Sequence, residues 1–282
     1  MRKVTKIWLI IATSLVLVGC IIFVGVMTMY KWDFRKLSTV RYETNNYEIN
    51  EDYKNISIVT RTADVVLIPC ESLKTSVVCY EQENLKHSVE VKEGTLVISV
   101  VDTRKWYEHI GINFCTSKIT VYIPRGEYGT LSVKSSTGNI CVENMTADAL
   151  GLYVSTGDIS VSNVDCKDDV NISVSTGKTN LTNVVCKNVT SSGDTGDISL
   201  KNVIATEKFS INRSTGDIKF DRCDAAEISI KTDTGKVVGS LLSEKAFITE
   251  TSTGKVSVPK TTAGGKCEIT TSTGDIKIEV IH

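Results

Sequence analysis

Eight Thr-Gly pairs recur along the C-terminal half of the chain: Thr137-Gly138, Thr156-Gly157, Thr176-Gly177, Thr195-Gly196, Thr215-Gly216, Thr234-Gly235, Thr253-Gly254 and Thr273-Gly274. Successive glycines lie 19, 20, 19, 20, 19, 19 and 20 residues apart. So even a period belongs to a stacked array of like units rather than to an ordinary globular core.

Counting from each glycine turns the period into structure. Two residues after it stand Ile140, Ile159, Thr179, Ile198, Ile218, Val237, Val256 and Ile276. Four after it stand Val142, Val161, Leu181, Leu200, Phe220, Gly239, Val258 and Ile278. Seven before it stand Leu131, Leu150, Val170, Val189, Phe209, Ile228, Phe247 and Cys267, with Ser, Thr, Lys, Asp and Asn filling the gaps. This is period-two alternation on both sides of the turn, so each repeat holds two short strands with one buried face. A unit of about 20 residues cannot bury that face alone and must stack on its neighbours, at a spacing of about 4.8 Å. The predicted fold class is all-β: a single-stranded-repeat β-solenoid, with two short strands per coil of about 19–20 residues, after one N-terminal transmembrane helix. Gly138, Gly157, Gly177, Gly196, Gly216, Gly235, Gly254 and Gly274 are its structural turns, each expected to supply a positive-φ backbone that a β-branched residue resists.

The amino terminus sets the compartment. Arg2, Lys3 and Lys6 precede an apolar run from Ile7 to Met29, long enough to span a hydrocarbon core of about 30 Å. Lys31, Arg35 and Lys36 follow the run, so charge counting leaves its orientation open. Leu17-Val18-Gly19-Cys20 fits a relaxed lipobox, which makes Cys20 a candidate for lipidation at a cleaved terminus. The apolar run continues past Cys20 through Ile21, Ile22, Phe23, Val24 and Val26, which favours an uncleaved anchor. Both readings put the repeats outside the cytoplasm.

Four segments follow: residues 1–30, the membrane anchor; 31–49, a polar juxtamembrane linker; 50–129, degenerate N-terminal coils with a cap; and 130–282, the regular repeats. Within 50–129, Ile56 and Ile58, then Ala63 in the glycine position, then Val65 and Leu67 reproduce the template. Ala63 lies 75 residues before Gly138, close to four periods, which predicts irregular coils continuing the stack between them. The stretch Asp102 to Phe114, with Trp106, Tyr107 and His109, interrupts the pattern as a cap or a side loop.

The motif Ser-Thr-Gly-Asp-Ile at 155–159, 214–218 and 272–276, preceded by Lys118 to Pro124, resembles the bacterial putative-adhesin domain family of unknown function, which includes LiaG-like and YvlB-like proteins. The likeness covers roughly residues 50 to 282. It implies a β-solenoid, commonly with a membrane anchor, in proteins of which several are encoded beside envelope-stress sensing systems in Gram-positive bacteria. It supplies no catalytic motif.

Other chemistry is sparse. A net charge of −1, from 32 basic and 33 acidic residues, creates no long-range field for nucleic acid, and no basic groove with interleaved aromatics is present. The nine cysteines form no Cys-x-x-Cys pair, and His87, His109 and His282 show no zinc-ligand spacing, so neither metal nor other cofactor is expected. Cys166 and Cys186 each follow their glycine by nine residues and should meet on adjacent coils, as buried thiols or as a disulfide. Cys223 and Cys267 fall at inward positions. The residues after the glycines run Asn139, Asp158, Lys178, Asp197, Asp217, Lys236, Lys255 and Asp275, a solvated edge whose signs largely alternate and partly neutralise. Asp197 beside Asp217 suggests calcium, but two carboxylates fall short of the six to eight oxygens such an ion takes.

No Ser/His/Asp arrangement, glycine-rich phosphate loop or acidic cluster on one sheet points to an enzyme. The expectation is a non-catalytic, single-pass cell-membrane protein whose extracytoplasmic solenoid binds or senses an envelope protein or glycan. The alternatives are an adhesin or glycan-binding module, and an assembly scaffold. The scaffold reading rests on Asp275 to Ile281, taken as an open C-terminal edge through which copies self-associate.

Overall fold

The computed structural model describes residues 3–34, 40–106 and 115–281. Arg2, Arg35, Lys36, Tyr107, His109, Phe114 and His282 lie outside the described residues. The chain divides into two compact units, one of residues 1–42 and 104–115, the other of residues 43–103 and 116–282.

The first unit carries the one described helix, Lys3–Met29. Its apolar stretch, Val4–Met29, is exposed apart from Val26, which is half-buried, and Met27, which is buried. Thr13, Ser14 and Thr28 interrupt the apolar sequence, yet each hydroxyl donates to the carbonyl four residues earlier, at 2.7–2.8 Å. These three hydroxyl donors are therefore not left to face an apolar medium. Cys20 sits within this continuous helix, and Lys31 and Trp32, both at positive φ, end it.

The second unit is all-β. Its strands pair in parallel, one repeat against the next. After the turn the register runs Ile140, Ile159, Thr179, Ile198, Ile218. Before the turn it runs Leu131, Leu150, Val170, Val189, Phe209, Ile228. These columns are buried, because alternate residues on each strand share the inward face. Each such side chain contributes about 1.5–3 kcal/mol relative to exposure. The pairing continues through the turns: the Gly157 N–H donates to the Thr176 carbonyl at 2.9 Å, and the Gly196 N–H to Thr215 at 2.9 Å.

The order of the repeats in space is not their order in sequence. The strand before Gly235, Glu227–Thr234, pairs with the one before Gly274, Gly265–Thr273, and that in turn pairs with the one before Gly254, Lys245–Thr253. The strands after the turns agree, with Ile276–Val280 lying between Val237–Leu241 and Val256–Ser257. After the Gly235 repeat the chain thus skips one level, builds the Gly254 repeat outside, and returns to fill the gap. This corrects the expectation of an open edge at Asp275 to Ile281: the C-terminal strand is interior, and the outer strands are Lys245–Thr253 and Val256–Ser257. Val256 is accordingly 44% exposed, while its counterpart Ile276 is fully buried.

The N-terminal end departs in the same manner. Ala63 does not lie four levels from Gly138 but beside it. Thr137 N–H donates to the Arg61 carbonyl at 2.7 Å, Val65 N–H to Asn139 at 2.8 Å, and Val65 is in register with Ile140. A near-multiple of the period measures chain length only, since a chain can leave the stack and come back. The intervening residues form the strands Thr95–Asp102 and Ser117–Pro124 on the far side of the Ala63 repeat, and then Thr75–Gln82 and Leu85–Lys92 beyond them, now antiparallel. Tyr42–Ile49, expected as linker, is a strand that pairs with Thr75–Gln82.

Candidate functional site

The predicted turn glycines lie one per repeat and do not converge on a site. Seven of the eight have positive φ, Gly196 at 132° and Gly216 at 149° among them. Their stronger constraint is contact. A Cβ added at Gly216 would lie 2.2 Å from the Gly196 carbonyl oxygen. Thr-Gly therefore recurs because backbones touch at each turn, as well as because the backbone reverses there.

The residue after the glycine has a role other than charge pairing. The Asp158 carboxylate accepts the Lys178 N–H at 2.7 Å, Asp197 the Asp217 N–H at 3.0 Å, and Asp275 the Lys255 N–H at 2.9 Å. The Asp197–Asp217 contact that suggested calcium is thus a carboxylate holding its neighbour's amide. Six residues after the glycines, Asn144, Asn163, Asn183 and Asn202 form a second ladder with amide-to-amide bonds of 2.8–2.9 Å. All four are left-handed, with φ of 50–54°, a region that asparagine tolerates best among residues other than glycine. Sequence reading missed this ladder, although its period was visible.

The chemically richest place is inside the N-terminal end of the stack. Thr75, Val77, Cys79 and Glu81 alternate inward on one strand, and Leu85 and His87 on the next, after the turn at Glu83 and Asn84. Glu81 and His87 are therefore carried into the core by the same alternation that buries their apolar neighbours. The Glu81 carboxylate accepts both the His87 backbone N–H, at 2.7 Å, and an Asn45 amide N–H, at 2.8 Å. His87 Nδ1 lies 2.6 Å from Glu81 Oε2, and its Nε2 lies 3.0 Å from the Thr60 hydroxyl. Burial, reinforced by the Glu81 charge, pushes the Cys79 thiol up to about 12. Burial and the same carboxylate also raise Tyr47, whose hydroxyl donates to the His87 carbonyl. Cys79, Glu81 and His87 bring their donor atoms within 4.8 Å of one another.

A hydroxyl, an imidazole and a carboxylate in line resemble a nucleophile, its base and its orienting acid. The Thr60 hydroxyl, however, faces the imidazole from within the core. Its strand, Asn55–Thr60, lies in a regular ladder between Thr95–Asp102 and Glu127–Thr137, without the sharp turn that presents a nucleophile. The network satisfies buried polar groups, and nothing in it offers a substrate a reacting atom.

Thr60 also lines a surface groove of about 270 Å³, together with Lys134, Ser135, Tyr153, Ser155 and Ser173. Lys134 Nζ stands 5.3 Å from the centroid of the Tyr153 ring, a cation–π contact. Gly151 leaves room for that ring, since an added Cβ would come within 3.1 Å of it. Trp106, the aromatic singled out in the sequence, is 79% exposed.

Two further polar inclusions interrupt the core. Arg213 is buried opposite Gly193, its guanidinium donating to the Val174 carbonyl at 2.8 Å and to the Thr179 hydroxyl at 3.3 Å. Its Nε has no partner among the described residues, and burial lowers its affinity for the proton. Lys245 is buried against Asp224 at 2.7 Å. Cys166 and Cys186 lie on neighbouring repeats as buried thiols, each pushed up to about 12 chiefly by burial.

The family model described as Toastrack DUF4097 matches the chain twice, at residues 53–168 and 165–281. The chain belongs to this family. No curated protein matches it. Among solved structures, a "putative adhesin" from Bacteroides fragilis is 15% identical, with 85% of this chain and 97% of that one covered at a TM-score of 0.43. A "putative lipid binding protein" from Parabacteroides distasonis is 16% identical, covering 84% and 97% at a TM-score of 0.46. A "putative cell adhesion protein" from Clostridium sporogenes is 11% identical, covering 86% and 100% at a TM-score of 0.33.

Proposed function

We propose that this Toastrack-family chain is a non-catalytic, single-pass cell-membrane protein whose repeats wind as an extracytoplasmic β-solenoid and present a binding surface. The observation that carries the reading is the helix Lys3–Met29. Its 26 apolar-stretch residues, Val4–Met29, are exposed over all but the last turn, where Met27 is buried, and the hydroxyls of Thr13, Ser14 and Thr28 are bonded back to the helix. Such a surface is stable in lipid and costly in water. The helix is also continuous through Gly19 and Cys20, which supports an uncleaved anchor over acylation at Cys20. The resemblance to proteins encoded beside envelope-stress sensing systems extends the reading to a stress-linked role.

The groove beside Tyr153 favours a second, narrower reading, a glycan-binding module. One aromatic face, one cation and several hydroxyls suit a polar, ring-shaped ligand better than an apolar one. Co-sedimentation of the detergent-solubilised full chain with isolated bacterial cell-wall polysaccharide tests it. Tyr153→Ala is expected to weaken retention about tenfold, the loss of a single aromatic contact of roughly 1.5 kcal/mol. Equal retention of wild type and variant removes the groove as the glycan site.

A further inference from the structure

Cys79, Glu81 and His87 form a three-ligand set that the binding role does not use. We propose that they are a binding site for a divalent late first-row transition metal, zinc foremost. Their donors, a thiol sulfur, a carboxylate oxygen and an imidazole nitrogen, are those that zinc accepts, and they come from one hairpin whose strands are joined by the short turn at Glu83 and Asn84. In a tetrahedral zinc site the donors sit roughly 3.3–3.8 Å apart, given bonds of about 2.0–2.3 Å. Here all three lie within 4.8 Å of one another and the His87–Glu81 separation is 2.6 Å, so that pair must spread, and any pair near the upper bound must close, by about 1 Å or less.

Charge supports the same class. A thiolate, a carboxylate and a neutral imidazole sum to two negative charges, which one divalent cation neutralises in a site where every ligand is buried. On binding, the metal–sulfur bond replaces the S–H bond and its proton leaves to solvent, while the proton between Nδ1 and Glu81 moves to Nε2, where it is donated to the Thr60 hydroxyl, so uptake is favoured as pH rises. A set of outer partners is already in place. The Thr60 hydroxyl meets His87 Nε2 at 3.0 Å, leaving Nδ1 toward Glu81 and Cys79, and Asn45 holds the other Glu81 oxygen at 2.8 Å. Partners of this kind fix ring tautomer and carboxylate orientation. Thr60 also lines the Tyr153 groove. Three protein ligands leave a fourth position for water.

The test is cobalt(II) titration of the chelator-treated full chain in detergent, followed by zinc competition. Wild type is expected to take up one cobalt per chain, with a thiolate-to-cobalt charge-transfer band and the intense visible bands of tetrahedral coordination. Cys79→Ser should abolish the charge-transfer band, while Cys267→Ser, another buried thiol, leaves it intact. Thr60→Val should keep the spectrum but weaken affinity about 10–100-fold. If Cys79→Ser does not fold by circular dichroism, His87→Gln supplies the same test through an affinity loss of at least about tenfold. Absence of cobalt and zinc uptake by wild type overturns the proposal, as does a charge-transfer band that survives Cys79→Ser.

Discussion

At the scale of single residues, the fold is held by positions where one chemistry alone fits. Gly216→Val sets a branched side chain against the Gly196 carbonyl, 2.2 Å from where its Cβ would lie, at a φ of 149°. It is expected to lower stability by well over the roughly 1 kcal/mol of an ordinary glycine replacement, read as the midpoint of chemical denaturation. Asn183→Ala removes two ladder bonds and puts alanine in a left-handed backbone, for an expected loss of about 1–3 kcal/mol, with Asn183→Gly recovering the backbone part. Arg213→Met should behave oppositely. The guanidinium is buried without a carboxylate contact and with Nε unpaired, so a flexible apolar side chain is expected to leave the midpoint unchanged or raise it. The glycines were legible because they repeat identically. The Glu81–His87 pair was not, because a search by ligand spacing passes over it, although alternation along Thr75, Val77, Cys79 and Glu81 already points that carboxylate inward.

At the scale of elements, the sequence showed the strands of the regular repeats and the faces they bury, but neither their order nor the strand Tyr42–Ile49. Side-chain alternation and turn chemistry are local and survive in the amino-acid pattern. The level at which a repeat inserts depends on which edge is free when it folds, and identical repeats carry almost no record of that. A local trace is the Gly274 repeat, where the Gly239–Ile278 and Phe247–Cys267 pairings mix large and small residues. The interleaved order has a direct consequence for protection. In hydrogen exchange, amides of Gly265–Thr273 and Ile276–Val280 are expected to exchange more slowly than those of Lys245–Thr253, despite lying nearer the chain end, because they are bonded on both sides. A sequential stack would reverse that ranking.

At the scale of the whole molecule, an apolar helix and a repeat unit with a buried core appear in one chain of near-zero net charge. The two ask for different surroundings, lipid for the first and water for the second, and this division was legible from hydropathy alone. The side of the membrane was not, since basic residues flank the apolar run at both ends. The central claim is that the repeats stand outside the cytoplasm, tethered by an intact helix. Protease added to intact protoplasts, followed by detection of tags at each terminus, tests it most directly. The account predicts loss of the C-terminal tag with the N-terminal tag retained on a membrane-bound fragment of the helix. Full protection of the C-terminal tag, with digestion only after the membrane is permeabilised, would contradict it.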